Sequence, residues 1–214
     1  MLYHAVIAFT FGVAAASFDY SGRATLEDVT KFFNTQEVIV LYMRSYSRKI
    51  GDYDPMCISN TVKKLEGSLI RLYQRYDYGT PSWHKCISYG IYYNISKDPG
   101  MDVAPVMQAQ KTNELDCSRA APLENSKGLD TLGFEGDFPH GRKYIFQYYD
   151  EREKCAVITF SDKRCSIKCE LHVWYQYFLK DKSNCIREYK YLCGKRHEYK
   201  LYDKTFCGWG LPNI

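Results

Sequence analysis

Residues 169–174, Cys-Glu-Leu-His-Val-Trp, alternate between two kinds of side chain. In an extended strand successive side chains point to opposite sides. Leu171 and Val173 therefore form an apolar side, and the other side carries an acid, an imidazole and an indole: Glu170, His172 and Trp174. The direction in which the preceding Cys169 points determines whether the glutamate meets water or lines an interior.

The same period of two recurs through most of the chain. It predicts strands at 38–46, 67–78, 85–96, 143–150, 155–162 and 168–178, with weaker candidates at 56–65, 101–111 and 130–138. Turn residues such as Gly51-Asp52 and Asp98-Pro99-Gly100 separate these segments. Eight or nine strands joined mostly by short turns are typical of an antiparallel meander.

A helical period flanks the strands at both ends. Residues 25–34 have apolar side chains at helical spacing, with Thr25 as the expected N-cap and Asp28 three residues later. Residues 183–194 form the second predicted helix, with Ser183 as its N-cap and Gly194 just past its end. The order helix, meander, helix predicts an all-β fold, a closed eight-stranded barrel with a flanking helix and room for one small ligand.

The first residues have the pattern of a secretory signal peptide. Residues 5–16 are apolar apart from one threonine, no Asp, Glu, Lys or Arg precedes Asp19, and this apolar run is too short to span a membrane. We expect residues 1–17 to be removed and residues 18–214 to form one secreted, extracellular domain. Asn94-Ile95-Ser96 is a glycosylation sequon.

Nine cysteines in a secreted chain predict a disulfide framework, and the odd number leaves at least one free or paired between chains. Zinc is the competing interpretation. The chain has no C-x-x-C, and the close pair Cys165 and Cys169 lacks a second pair at ligand spacing, so we expect no metal.

Other function classes find little support in the sequence. The formal net charge is +4 and no dense Lys/Arg block occurs, so nucleic acid and membrane partners are not expected. No G-x-S-x-G, P-loop or G-x-G-x-x-G is present, and His197-Glu198 lacks the second histidine of H-E-x-x-H. We expect a monomeric binding protein without catalysis and without a cofactor.

Three spacings occur together: Tyr149-Asp150-x4-Cys155-Ala156-Val157, Cys169-Glu170-Leu171-x2-Trp174 and Cys185-x7-Cys193-x13-Cys207. The first strand adds Tyr42-Met43-Arg44-Ser45-Tyr46 and Asp54-Pro55-x-Cys57. In this order the combination resembles the tick salivary lipocalins, the histamine-binding family, over about residues 38–207. The resemblance implies an eight-stranded barrel with an N-terminal helix and a C-terminal helix packed outside.

The resemblance also implies three disulfides: Cys57–Cys207, Cys155–Cys185 and Cys169–Cys193. For the remaining cysteines we expect Cys86–Cys117, with Cys165 left over. If Cys169 points outward to the C-terminal helix, then Glu170, His172 and Trp174 point into the barrel.

The family binds amines through an inward acid at the Glu170 position. By the same matching Tyr46 and Tyr144 line the cavity, and Phe134 or Phe138 reaches it. Arg44 shares the inward face with Tyr46. Two structural interpretations remain open: Glu170 could form an internal ion pair with Arg44 or Lys143, and His172 could be a hydrogen-bonded core residue.

Two departures from the family pattern bear on the number of sites. The connection after the first strand has no tryptophan, and Asp52 or Asp54 would have to replace its acid. The residue after the strand cysteine is Ala156, where a second amine site has an acid. We therefore do not expect two amine sites.

Three functions follow from this family resemblance. The first is sequestration of histamine, serotonin or another biogenic amine, which would suppress host inflammatory and immune defence at the bite. The second is binding of a leukotriene or fatty acid, with Arg44 as the carboxylate partner. In the third, external loops such as 112–129 bind a host protein of complement, clotting or immunity.

Overall fold

The computed structural model describes residues 22–80, 83–100, 102–112, 115–116, 141–161, 165–194, 198–201 and 207. These residues contain two α-helices, α1 (Leu26–Phe33) and α2 (Ser183–Cys193). The strands are β1 (Ile39–Arg44), β2 (Cys57–Glu66), β3 (Leu69–Thr80), β4 (Trp83–Ser96), β5 (Val106–Lys111), β6 (Leu115–Asp116), β7 (Lys143–Asp150), β8 (Cys155–Ser161), β9 (Ile167–Trp174) and β10 (Tyr199–Lys200).

Eight antiparallel strands close into a barrel. The sheet runs β1-β2-β3-β4-β5-β7-β8-β9, and β9 pairs back onto β1, with Ile39 opposite Trp174 and Arg44 opposite Glu170. The short strands β6 and β10 pair with β4 and β1. This closed arrangement confirms the predicted barrel, which leaves no long sheet edge unpaired in the described part.

Helix α1 covers one end of the barrel. Its N-terminus has the predicted capping box: Thr25 Oγ1 accepts from the Asp28 N–H at 3.1 Å, and Asp28 accepts from the Thr25 N–H at 2.8 Å. Val29, Phe32 and Phe33 are buried in the interior core. We call the opposite end, where β1 finishes and β7 begins, the far end.

A second apolar layer lies outside the barrel, between its wall and α2. It contains Leu171 and Val173 of β9 together with Tyr189 of α2. The disulfides Cys155–Cys185 and Cys169–Cys193 join this helix to β8 and β9. Cys57–Cys207 links β2 to the C-terminal region, so the structure contains all three expected bridges.

Three of the differences between predicted and observed boundaries have a clear physical cause. The strand expected at 168–178 ends at Trp174, because Tyr175–Tyr177 form a 3₁₀ turn that directs the chain toward α2. The strand expected at 101–111 begins at Val106, since Pro105 has no N–H for the ladder. Ser183 is the first helical residue and not the cap, while Glu153 accepts the N–H groups of Asn184 and Cys185, both at 3.1 Å.

Several predictions lie outside the described residues. They are the signal peptide at 1–17, the strand at 130–138 with Phe134 and Phe138, and most of the loop at 112–129, including Cys117. Cys86 is disulfide-bonded, and Cys165 is free and exposed, as expected for the ninth cysteine. Neither helix in the described part of the chain is long and apolar enough to cross a membrane.

Candidate ligand site

The side chains of β9 point in the directions predicted from an outward-facing Cys169. Cys169, Leu171 and Val173 belong to the layer beneath α2, and Trp174 packs against the interior core. Glu170 lies inside the barrel with 9% of its surface exposed, and His172 is 6% exposed. An acid therefore stands in the barrel interior, on the face opposite the disulfide.

Both oxygens of the Glu170 carboxylate accept hydrogen bonds from neighbours. The Tyr46 hydroxyl donates to Oε1, and His172 Nε2 lies 2.9 Å from Oε2. An ionised carboxylate can only accept, so Nε2 of His172 carries a proton. These two side chains fix the orientation of the carboxylate within the barrel.

The surroundings of Glu170 favour its ionised form. Burial alone raises the pKa of this carboxyl group, because it removes water from the charge. The hydrogen bond and the electrostatic interaction with His172, the Tyr46 hydrogen bond and the Arg44 guanidinium outweigh burial, and the pKa of Glu170 is lowered. Glu170 is therefore a negative charge at neutral pH.

Aromatic rings surround this charge. Phe160 lies 5.4 Å from the Tyr46 ring and 5.1 Å from the Tyr144 ring, and Tyr93 lies 5.8 Å from Tyr144, all measured between centroids. Burial raises the pKa of Tyr46, Tyr93 and Tyr144, and the Glu170 charge adds to the effect. Their hydroxyl groups therefore stay protonated and can donate hydrogen bonds.

Arg44 faces the interior as predicted, but its ion pair is with Asp54. Arg44 is fully buried, and Nη2 lies 3.1 Å from the Asp54 carboxylate, which Ser47 also contacts at 3.0 Å. The interpretation of Glu170 as an ion pair with Arg44 or Lys143 is not supported among the described contacts, where Glu170 bonds to Tyr46 and His172. Asp54 is thus engaged by Arg44, and Asp52 is exposed.

Trp174 has a structural contact at the other end of the barrel. Its indole N–H donates to the Phe32 carbonyl at 3.1 Å and so holds α1 against the barrel. Phe32, Phe146 and Tyr149 fill the same end, with ring centroids 5.6–5.7 Å apart for the pairs that include Phe32. Trp174 therefore belongs to the packed end, away from the hydrogen bonds of Glu170.

A comparison of the sequence with protein-family models identifies one matching family. The model described as tick histamine binding protein matches residues 19–208. The chain belongs to this family. Its members are ligand-binding lipocalins, so this tick lipocalin is a binding protein and not an enzyme.

Two solved structures are among those that a structural comparison finds similar to this chain, at low sequence identity. Japanin from Rhipicephalus appendiculatus, bound to cholesterol, has a TM-score of 0.48 and 12% identity, covering 79% of this chain and 95% of that chain. The AM182 serotonin complex has a TM-score of 0.46 and 12% identity, covering 83% of this chain and 91% of that chain. No curated protein sequence matches the chain.

Sequence reasoning missed several interior residues of this tick lipocalin. Tyr76, Tyr93 and Phe160 are among the rings around the acid, and two arginines of the far end lie beside them, Arg48 and Arg142. The signal for Tyr76 was available in the alternation of β3, where Leu72 and Tyr76 both belong to the interior core. Arg48 and Arg142 lie outside the strands, where alternation does not predict direction.

One grouping in the described residues has the composition of a metal site. Glu153, Cys155 and Cys185 bring potential ligand atoms within 4.8 Å of one another. The two sulfur atoms are joined in a disulfide, so neither is the thiolate that zinc requires. The grouping is explained by the bridge and by the contact of Glu153 with the N-terminus of α2.

Proposed function

We propose that this tick lipocalin binds and sequesters a small biogenic amine, histamine or serotonin first. The observation that carries the proposal is the ionised Glu170, held inside the barrel by Tyr46 and His172 and surrounded by aromatic rings. The family description points to the same class of ligand.

Physical chemistry favours a cationic ligand at this position. A carboxylate in an apolar interior is costly to bury, and a cationic amine offsets part of that cost. Each Glu170 oxygen accepts one described hydrogen bond, while a carboxylate offers about four acceptor positions. The rings of Tyr46 and Tyr144 add cation–π attraction to an ammonium group.

We expect one amine per chain. His172 is opposite Ala156 in the β8–β9 register, and Ala156 is fully buried with no charge to offer a second ammonium group. The α1 end beyond them is packed by Phe32 and Phe146, both fully buried. We therefore expect the ligand to lie toward Glu170 and the far end.

The proposed setting is tick saliva at the bite. Disulfides persist in oxidising compartments, which supports secretion of this chain. A binding protein without catalysis lowers the free mediator only in proportion to its own concentration, so abundance and affinity determine the effect. Removal of the amine would suppress the host's inflammatory and immune response.

Two alternatives use other parts of the molecule. A leukotriene or fatty acid with Arg44 as carboxylate partner is less favoured, because Asp54 already neutralises that guanidinium. Recognition of a host complement or immune protein would use loops such as 112–129, most of which lie outside the described residues. A pull-down from host plasma separates this last alternative from small-ligand binding.

Isothermal titration with histamine and serotonin at neutral pH tests the proposal. We expect saturable binding at one amine per chain, and Glu170→Gln should weaken it by about tenfold or more, since it removes a charge-assisted contact. The matched control is Glu188→Gln, which removes another buried acid, located on α2 outside the barrel.

The control variant should bind the amines as the wild type does. Absence of heat from both amines with folded wild-type protein would contradict the proposal. Equal affinities for the wild type and Glu170→Gln would show that Glu170 does not contribute to the site, even if an amine binds.

A further inference from the structure

His172 lies beside the acid of the proposed amine site, on the same inward side of β9. Its Nε2 lies 2.9 Å from Glu170 Oε2, and only 6% of the histidine is exposed. Its cross-strand neighbours are Leu41 of β1 and Ala156 of β8, both buried and without charge. Within the described structure, Glu170 is therefore the acid with which His172 forms an ion-pair contact.

The charge of His172 depends on its second ring nitrogen. Nε2 carries a proton in both charge states of the ring, because it donates to the carboxylate. Nδ1 forms no hydrogen bond with any described residue, so no neighbour there determines whether it is protonated. Uptake of a proton at Nδ1 converts the hydrogen bond to Glu170 into an ion pair, with both side chains in the same place.

The other charged groups around the interior belong to side-chain types that titrate outside the neutral range. Lysine and arginine ordinarily titrate above about pH 10, carboxylic acids near about pH 4 and imidazole near about pH 6.5. Among these types, imidazole alone changes charge between about pH 5 and about pH 8. Arg44 is paired with Asp54, and the cations that lie over interior rings at the two ends of the barrel are Arg48, Lys111, Arg142 and Lys154.

We propose that His172 is a pH-sensitive counter-ion of Glu170 that competes with the amine for the carboxylate. This inference rests on the proposed amine site and concerns its regulation. The neutral imidazole only orients the carboxylate, whereas the imidazolium supplies the positive charge that the amine would otherwise supply. Two cations that both lie about 3 Å from one carboxylate repel each other. Amine affinity is therefore high when His172 is neutral and falls as the solution becomes acidic.

Glu170 itself accounts for a loss of binding only at lower pH. Its pKa is lowered by its contacts with His172, Tyr46 and Arg44. The carboxylate therefore remains ionised between about pH 5 and about pH 8, since even an unperturbed glutamate titrates near about 4.3. A change of affinity within that range identifies a histidine and not the acid as the titrating group.

Titration calorimetry with serotonin at several values between about pH 5 and about pH 8 tests the inference. Serotonin is the better probe, because its alkylammonium group stays charged over this range, whereas the imidazole of histamine titrates within it. We expect binding to be at least about tenfold weaker at about pH 5 than at about pH 7.5. The neutral analogue 5-hydroxytryptophol shares the ring system and should show little change with pH.

His172→Gln is the decisive variant. A glutamine amide can still donate a hydrogen bond to the Glu170 carboxylate, but it takes up no proton. Serotonin affinity should therefore become nearly independent of pH in this range and stay close to the wild-type value at about pH 7.5. The matched control is His84→Gln, on β4 opposite Gly79 in the β3–β4 hairpin, which should keep the wild-type pH dependence.

Two measurements on the wild type do not depend on the folding of a variant. Binding and protonation affect each other equally, so serotonin should release a fraction of a proton at about pH 6.5. Calorimetry in two buffers with different ionisation enthalpies measures that release. In labelled protein at the same pH, the assigned imidazole resonances of His172 should move toward those of the neutral ring when serotonin is added.

Each outcome decides between the inference and the proposed function. Serotonin binding with the same affinity at about pH 5 and about pH 7.5 refutes the role of His172 and leaves the amine site standing. Full pH dependence in His172→Gln, or His172 resonances that serotonin does not move, refutes it as well. Absence of serotonin binding at every pH refutes the proposed site and this inference together.

Discussion

Glu170 occupies a position where burial and hydrogen bonding have opposite effects on one carboxyl group. Burial disfavours the ionised form of this group, and the interactions with His172, Tyr46 and Arg44 together favour it more strongly. The pKa is lower in the folded protein than in the unfolded chain. Ionisation of Glu170 is therefore linked to the stability of the fold.

The sign of that link gives a pH prediction. A lowered folded-state pKa contributes stability that is present above the unfolded pKa, about 4.3 for glutamate, and is lost as the pH falls through the folded value. The difference in unfolding free energy between the wild type and Glu170→Gln should therefore shrink below about pH 4. Urea unfolding of both proteins, at several values between about pH 3 and about pH 7, measures this difference in free energy.

Glu66→Gln is the control for this series, because Glu66 pairs with Lys64 in an ion pair whose side chains are both about half exposed. Its difference from the wild type should change little with pH, since exposed ion pairs contribute little. A Glu170→Gln difference that grows toward low pH would contradict the lowered pKa.

Among the helices, α2 depends on a side chain from outside its own sequence. Glu153, in the turn between β7 and β8, accepts the N–H groups of Asn184 and Cys185. Glu153→Ala should lower the free energy of unfolding by about 1 kcal/mol, the usual cost of a lost N-cap. Thermal or urea unfolding measures this change.

Glu151→Ala provides the comparison, since Glu151 lies in the same turn and forms an exposed ion pair with Lys31. We expect this variant to unfold like the wild type. Equal destabilisation by both variants would show that the turn, and not the contact of Glu153 with α2, determines the effect.

The strands show which parts of the fold the sequence specifies. Alternation predicts β3, β4, β7 and β8 closely, because each has one side in the barrel and the other outside. It fails after Trp174, where aromatic side chains continue the pattern but a 3₁₀ turn places Tyr177 and Phe178 against the layer under α2. Tertiary packing overrides strand propensity there.

The site was predictable only where a disulfide bond determined which way a side chain points. Because Cys169 is bridged to α2, the inward direction of Glu170 follows from the family resemblance and strand geometry. The partner of Arg44 was not predictable, since Asp54 lies in an irregular segment with no period to orient it. The positions of Arg48 and Arg142 beside the interior rings were not predicted, for the same reason.

For the molecule as a whole, the covalent framework is the most direct property to measure. Seven of the eight described cysteines are disulfide-bonded, and Cys165 is free and exposed. Native protein should therefore react with one equivalent of a thiol reagent such as dithionitrobenzoate, and Cys165→Ser should react with none. Absence of a reactive thiol in the wild type, with a covalent dimer on a non-reducing gel, would contradict this state.

The whole barrel has two different ends. Helix α1 and the Phe32–Phe146 packing fill one end, while Glu170, its tyrosines and the arginines occupy the other. From this polarity we expect a charged ligand to bind in the far half of the barrel. Binding at that location is the central claim.

A crystal structure of the protein with the tighter-binding of histamine and serotonin tests this claim most directly. We predict one amine inside the barrel, with its ammonium nitrogen about 3 Å from a Glu170 carboxylate oxygen and its ring among Tyr46, Tyr144 and Phe160. An amine bound outside the barrel, or inside it without contact to Glu170, would contradict the account.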